Sequence, residues 1–413
     1  MIYIYIFFIS NTLYIFYIQQ QKNKKHRRSA KRTSSKKKKN RLQRQHAIMS
    51  EHDDDNDISG ASEVDEDEAG EEDGFCWVSK STTTLDHKMN TVKNYKTVKH
   101  LKTYTSHGKK AGQFLDPHGI AATSNSTTTR NSGDDESLIC VTDPIKKSLT
   151  VFKESTFREL PRDCRTTAAI PATMIKEYIF TSVFDVAIHE ASNTVLVSDP
   201  VDKCIHCISI GNNINNDNGS DDNENSLNSD LLFDETISLP NCETLAGLCV
   251  TEGGLIGVLD SDMGRVLVLD GRGQIQYSFG EEGHSEGQFC LPQFMCWDEL
   301  NKRFIIADTA NARIQVFTLD GRFLFAFGVF GFKEGGCFEY PSGVCTDDHG
   351  RIFVVDQGSH ELQIFDKDGH WLHSLGEPGA LPGSFNSPKS LALLSNGDMI
   401  VTDNLNCRLQ MFG

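Results

Sequence analysis

The sequence predicts an all-β protein, a six-bladed β-propeller, on three observations. A short apolar run ending in Asp recurs six times, at Asp143, Asp199, Asp260, Asp308, Asp356 and Asp403, with spacings of 56, 61, 48, 48 and 47 residues. In every unit the positions six, eight and nine after that Asp are apolar, as in Ile314/Val316/Phe317 and Leu409/Met411/Phe412. No stretch follows a helical period, whereas apolar and polar residues alternate as they do on half-buried strands.

The chain has 413 residues, 38% of them hydrophobic, and a formal net charge of −16. The charge is unevenly spread. Residues 1–50 carry 13 Lys/Arg and no acid, residues 51–90 carry 2 basic and 14 acidic residues, and 91–413 carries 26 against 43. A globally basic nucleic-acid binder is thereby excluded. Residues 1–18 are almost continuously apolar and aromatic, and a basic tract follows them. This apolar-then-basic segment 1–50 admits three readings: a mis-assigned start, since its composition resembles translated AT-rich non-coding sequence; a membrane anchor with its basic flank in the cytoplasm; or a basic targeting signal. The segment 51–90 is too acidic and too poor in apolar residues to fold alone and is expected to be a disordered tail. The propeller is expected over 97–413. Twelve Cys without regular spacing indicate reduced thiols and a cytoplasmic protein.

Two further motifs define the unit. Four units are entered through G-x-F-x-x-P, at Gly112/Phe114/Pro117, Gly287/Phe289/Pro292, Gly336/Phe338/Pro341 and Gly383/Phe385/Pro388. Three carry an Asp-Gly pair after the third apolar run, at Asp270-Gly271, Asp320-Gly321 and Asp368-Gly369. Such a pair predicts a hairpin whose two central residues both have positive φ. Each unit then holds four strands: one after the Pro, one ending at the Asp, one ending at the Phe and one after Asp-Gly. The chain stops after the third strand of the sixth unit, while VKHLKTYT, upstream of the first unit, aligns with the fourth strands, Leu101 with Leu324 and Leu372, Tyr104 with Phe327 and Leu375. The N-terminal strand is therefore expected to close the last blade and remove the open edges.

The composite pattern G-x-F-x-x-P-x-G-V, I-x-V-x-D, N-x-R-I-Q-V-F-x-x-D-G-x-F resembles NHL repeats, and among them the C-terminal propellers of the tripartite-motif NHL proteins. It spans about 97–413, tightly in the last three units and loosely in the first three. The resemblance implies a six-bladed NHL-type propeller. Proteins of that kind carry a RING, B-boxes and a coiled coil upstream. Residues 1–110 hold one Cys, Cys76, which cannot supply a RING's ligands.

Six equivalent Asp residues point to a structural role, each accepting hydrogen bonds from the turn that follows, with Arg265, Arg313 and Arg408 placed to pair with three of them. Some NHL-like propellers are lyases that hold a metal through axial His residues. Here only Pro117-His118-Gly119 offers one, against Gln293, Ser342 and Lys389 at the other Pro entries, so no metal and no cofactor are expected and His118 is read as a rim residue. In Cys204-Ile205-His206-Cys207 the thiols fall on opposite strand faces, which disfavours a metal or redox pair.

Propeller parity places the strand 1–2 and 3–4 loops on one face, including polar insertions at 124–138 and 211–230, and the 2–3 and 4–1 loops on the other. The candidate binding face is the second: Lys109, Lys110, Lys146, Lys147, Arg162, Arg165, Lys203 and Arg313, with Phe332 and Tyr340 as aromatic anchors. The expected function is a non-catalytic protein-interaction scaffold, tied to substrate recognition in a ubiquitin-ligase pathway; the alternative is an RNA-binding post-transcriptional regulator acting through the same face. The chain is expected not to be an enzyme. Its expected partners are proteins or RNA, with no small-molecule substrate, and a membrane only through residues 1–18.

Overall fold

The computed structural model describes residues 98–105, 107–109, 113–123, 138–154, 163–164, 174–209, 235–332 and 335–413. The expectations for 1–50 and 51–90 lie outside the described residues, as do the two insertions apart from Leu138, which opens a strand. Among the described residues no helix is long and apolar enough to cross a membrane.

Among the described residues six antiparallel sheets form the blades of a propeller, five of four strands and a sixth whose four strands are joined at the outer edge by the short parallel strand Asp163–Cys164. From the axis outward, blade 1 is Ile120–Ala122, Leu138–Asp143, Ser148–Lys153 and Met174–Ile179. Blade 2 is Val186–His189, Thr194–Asp199, Cys204–Ser209 and Glu235–Ser238. Blade 3 is Leu245–Val250, Ile256–Asp260, Arg265–Leu269 and Ile275–Phe279. Blade 4 is Met295–Asp298, Arg303–Asp308, Arg313–Thr318 and Phe323–Phe327. Blade 5 is Pro341–Thr346, Ile352–Asp356, Glu361–Phe365 and Trp371–Leu375. Blade 6 takes Pro388–Leu393, Met399–Asp403 and Arg408–Phe412 from the C-terminus and His100–Thr105 from the N-terminus.

That last sheet closes the ring. His100–Thr105 runs antiparallel to Arg408–Phe412 with Tyr104 opposite Leu409, and Lys99 and Gly413 exchange backbone hydrogen bonds of 3.1 and 3.3 Å. Tyr104 thus takes the position that Phe327 holds opposite Ile314 and Leu375 holds opposite Leu362.

The apolar pattern of each unit follows from packing. The third strand has a period of two, so its positions six and eight after the Asp face one neighbouring blade and position nine faces the other. Ile314 and Val316 enter the cluster shared with blade 5, whereas Phe317 enters the one shared with blade 3. Leu409 and Met411 face blade 1, and Phe412 faces blade 5. Each G-x-F phenylalanine fills the gap over position nine: Phe289 on Phe317 at 5.3 Å, Phe338 on Phe365 at 5.6 Å, Phe385 on Phe412 at 5.5 Å between ring centroids. All are buried, and losing one such ring costs roughly 3–5 kcal/mol.

The hairpins between third and fourth strands differ from expectation. Asp320 and Asp368 do not have positive φ; only the glycines do, Gly321 at 81° and Gly369 at 86°, and each glycine N–H closes the turn on a carbonyl three residues back, of Thr318 and of Asp366. After Asp270 the left-handed residue is Gly273, not Gly271. These are type I turns followed by a left-handed glycine, and the ladder slips by one residue beside each of them.

Candidate functional site

The six repeat Asp are fully buried and hold blade to loop. Each carboxylate accepts N–H groups of the loop that enters its own blade: Leu115 and Asp116 at Asp143, Ser182 at Asp199, Glu243 and Thr244 at Asp260, Cys290 at Asp308, Glu339 and Tyr340 at Asp356, Asn386 at Asp403; those at Asp143, Asp199 and Asp356 also accept backbone N–H groups of the turn that follows. In three blades an Arg five residues on donates its Nε to the same carboxylate, Arg265 at 3.1 Å, Arg313 at 2.7 Å and Arg408 at 2.5 Å. Gln315 and Gln410, seven residues on, also donate to it and to the carbonyls of Gln288 and Ser384. These glutamines lie within the repeat pattern, but spacing alone did not reveal their role.

Of the candidate binding face, Lys110, Arg162 and Arg165 lie outside the described residues. Lys109 is exposed. Lys146 donates its Nζ to the Gln113 carbonyl at 2.9 Å, and Lys203 stands 3.9 Å from Glu243. Lys147 and Lys203 both occupy left-handed backbone, at φ 59° and 51°. Arg313 is committed to Asp308 and to the carbonyls of Ser285 and Gln288, so it braces the scaffold. Phe332 is 53% exposed, edge-on to Phe330, and Tyr340 accepts a 2.7 Å hydrogen bond from Gln293 at its hydroxyl.

A different cluster forms where the six innermost strands begin. His118, Phe184, Ala246, Gln293, Ser342 and Lys389 hold equivalent positions there, each one residue before the point where its strand meets the residue preceding the repeat Asp. Ring closure brings them around one axis. His118 is not a rim residue but 2% exposed, wedged between Phe184 and Phe294 at 4.5 and 5.4 Å. Its Nδ1 lies 3.1 Å from the Phe184 carbonyl, which can only accept, so Nδ1 carries the proton. Burial, reinforced by the Lys389 charge, lowers the imidazole pKa well below its ordinary value, which leaves the ring neutral and Nε2 an acceptor.

Lys389 is also 2% exposed and donates its Nζ to Gln357 Oε1 at 2.7 Å. Burial lowers its ammonium to about 8, against the attraction of Asp116. Asp116 is raised by burial, opposed by Lys389 and by the amide of Asn404 that it accepts. One residue further along its strand than the Phe184 position, Asp185 is buried, accepts the Leu248 N–H at 3.0 Å and is raised by burial to about 7. In the sequence Lys389 is one of three non-His residues at the Pro entries; only its place on the axis distinguishes it from a surface lysine.

Two groups of metal-ligating side chains, Asp347/Asp348/His349 and Asp366/Asp368/His370, lie in exposed turns of blade 5. Asp347 and Asp366 already accept the backbone N–H groups of those turns, which accounts for their placement.

The NHL repeat family matches residues 338–365. A segment of 46 residues is 44% identical to Protein lin-41 of Caenorhabditis elegans, covering 11% of this chain and 4% of that protein. Among solved structures, a protein of unknown function from Bacteroides thetaiotaomicron superposes with a TM-score of 0.50 at 12% identity, over 76% of this chain and 75% of that one. A streptogramin B lyase gives a TM-score of 0.47 at 11% identity, over 76% and 97%. A catalytically inactive variant of virginiamycin B lyase from Staphylococcus aureus, with quinupristin, gives 0.45 at 13%, over 76% and 98%. At these identities the likeness is one of fold.

The expectations of a non-catalytic scaffold and of a chain that is not an enzyme are corrected by this comparison. The fold, shared over 76% of the chain with a protein of unknown function, is no ground for excluding catalysis, because one fold hosts many unrelated functions. Three axial His are one way to place chemistry at such an axis; here it gathers a lysine, a histidine and a carboxylate instead.

Proposed function

We propose that all six blades are NHL repeats and that the chain binds a small ligand bearing a carbonyl or carboxylate at the axial end of the ring, where Lys389 can give or take a proton. The observation that carries this reading is Lys389 itself: an amine on the axis, lowered to about 8, beside Asp116 and hydrogen-bonded to Gln357. A general acid or base works best with a pKa near the operating pH, and perturbed groups gather at functional sites. In this reading Lys389 meets the ligand's oxygen or acidic proton, Asp116 steadies the ammonium, and neutral His118 offers Nε2 as an acceptor. Phe184 and Phe294 give the ligand an apolar wall and lower the local dielectric.

Pyridoxal phosphate followed by borohydride tests this on the full chain, since its aldehyde condenses with a neutral amine and its phosphate favours a cationic site. At pH 8 Lys389 should be labelled ahead of exposed lysines such as Lys109, with the modified peptides identified by mass spectrometry. Labelling of Lys109 with Lys389 untouched would exclude the axial site.

A further inference from the structure

The residue five after each repeat Asp stands directly opposite that Asp on the paired strand. Three blades place an Arg there: Arg265 opposite Asp260, Arg313 opposite Asp308 and Arg408 opposite Asp403. Blade 5 places Glu361 opposite Asp356. Like charges that face each other across a strand pair destabilise it, and here one of the two is fully buried.

Burial, and after it the Asp356 charge, raises the half-buried Glu361 carboxyl to about 7, with Ser359 opposing. The charged groups around it offer no relief. Glu339, from the loop that enters the blade, packs its side chain against the turn at Gly358, where a Cβ would come within 2.7 Å of it. Glu377, past the end of the fourth strand, is another acid and is exposed. On the side of blade 6, His360 accepts the Ser387 N–H at its Nδ1, and Lys389 sends its amine to Gln357. Arg265, Arg313 and Arg408 each form an ion pair with the Asp they face, whereas among the described residues Glu361 forms none.

Asp356 in turn connects to the axis. Its Oδ2 accepts the Glu339 N–H at 2.8 Å and its Oδ1 the Tyr340 N–H at 2.7 Å. The Tyr340 carbonyl accepts the Gln357 N–H at 3.0 Å, and the Gln357 side chain accepts the Lys389 amine at 2.7 Å. The Tyr340 hydroxyl also accepts the amide of Gln293, a second axial residue, at 2.7 Å.

We propose that Glu361 is a proton-operated latch on the loop that enters blade 5, and that through Tyr340 and Gln357 it regulates the axial site, a role that rests on the ligand-binding reading given above. Neutral Glu361 gives Asp356 a donor where three other blades supply an Arg. Ionised Glu361 sets a second negative charge beside a buried carboxylate and loosens its hold on the Glu339 and Tyr340 N–H groups. In the opened loop the carboxyl returns to its ordinary value of 4.5. Between about pH 5 and pH 7 the closed loop therefore binds more protons than the opened one, so opening rises with pH through that window and levels off above it. The axial site is held most firmly in acid and is looser at neutral pH.

Hydrogen exchange on the full chain reads the latch without any ligand. Relative to Glu361→Gln at the same pH, protection of the Glu339 and Tyr340 amides in wild type should fall at least about threefold between pH 5 and pH 7; one linked proton allows at most about tenfold per pH unit, and solvent screening of a half-buried carboxyl reduces that. Glu361→Arg, which restores the pairing of blades 3, 4 and 6, should keep the two amides protected across the same range; if it fails to fold, Glu361→Gln carries the test. At pH 8, pyridoxal phosphate and borohydride should label Lys389 faster in wild type than in Glu361→Gln, because Gln357 holds the amine less firmly. Parallel loss of protection in wild type and Glu361→Gln would overturn the latch, and equal labelling rates would overturn its link to the axis. Lys389 left unlabelled in both would be the failure of the axial reading instead, which the exchange result does not depend on.

Discussion

Asp308→Ala would strand more than a turn. It leaves the Cys290 N–H, Asn311, the Arg313 guanidinium and Gln315 without their common acceptor, inside a site from which water is excluded. Removing one partner of a buried ion pair costs about 3–5 kcal/mol, well above the ~1 kcal/mol of a simple lost cap. Denaturant unfolding of Asp308→Ala against wild type should show the larger figure. Asp185 yields the opposite kind of prediction. Its folded-state pKa of about 7 lies above the ordinary carboxylate value because burial penalises the charge. Between about pH 4 and pH 7 the folded state thus binds more protons than the unfolded state, and its stability falls as pH rises through that window. Asp185→Asn should flatten the decline in melting temperature between pH 5 and pH 8. Lys389 works in reverse: its lowered pKa of about 8 makes stability rise between pH 8 and the ordinary lysine range.

The 2–3 loop shows how one backbone shape is kept while the residue changes. The position four after each repeat Asp is left-handed in all six blades: Lys147, Lys203, Gly264, Ala312, His360 and Cys407, at φ between 50° and 60° once rounded. Only one of the six is glycine. A left-handed L-residue costs roughly 1–2 kcal/mol, offset by the carboxylate that gathers the turn's N–H groups at Asp143, Asp199 and Asp356. Lys147 is exposed, so Lys147→Gly removes that strain without opening a cavity. Thermal unfolding should place Lys147→Gly above wild type, by up to ~1 kcal/mol after the entropy that glycine adds to the unfolded chain is subtracted. The same substitution leaves the axial cluster untouched, so labelling at Lys389 should not change.

At the scale of the ring, closure by His100–Thr105 gives blade 6 its fourth strand and covers the edge of Arg408–Phe412. Tyr104 packs edge-on against Phe114 and Phe152 and ties that strand into the core between blades 6 and 1. Deleting residues 1–90 should leave the melting transition in place, whereas deleting 1–110 should lower stability by several kcal/mol and promote association through the bared edge, measurable by calorimetry and light scattering. Closure also creates the axis. Thr402 donates to the His118 carbonyl and Asn404 to that of Pro117, so blade 6 grips the entry to blade 1 directly at the mouth where Lys389 and His118 meet.

By itself the sequence determined the repeat, its six Asp, the four-stranded unit and the closing strand. Each of these rests on periodicity or on hydrogen bonds between residues close in the chain, and both leave a repeated mark in the sequence. The Arg265, Arg313 and Arg408 pairings were legible for the same reason, five residues from their partners. The φ values of the Asp-Gly turns were not, because the same dipeptide serves two turn types and the ladder slip that selects one is a property of the paired strands. Only the tertiary structure decided what lies on the axis. His118, Asp185 and Lys389 stand at positions where the units differ from one another, so no repeat marks them. They come together because closing the ring sets six otherwise separate strand entries around one axis, where burial changes their chemistry.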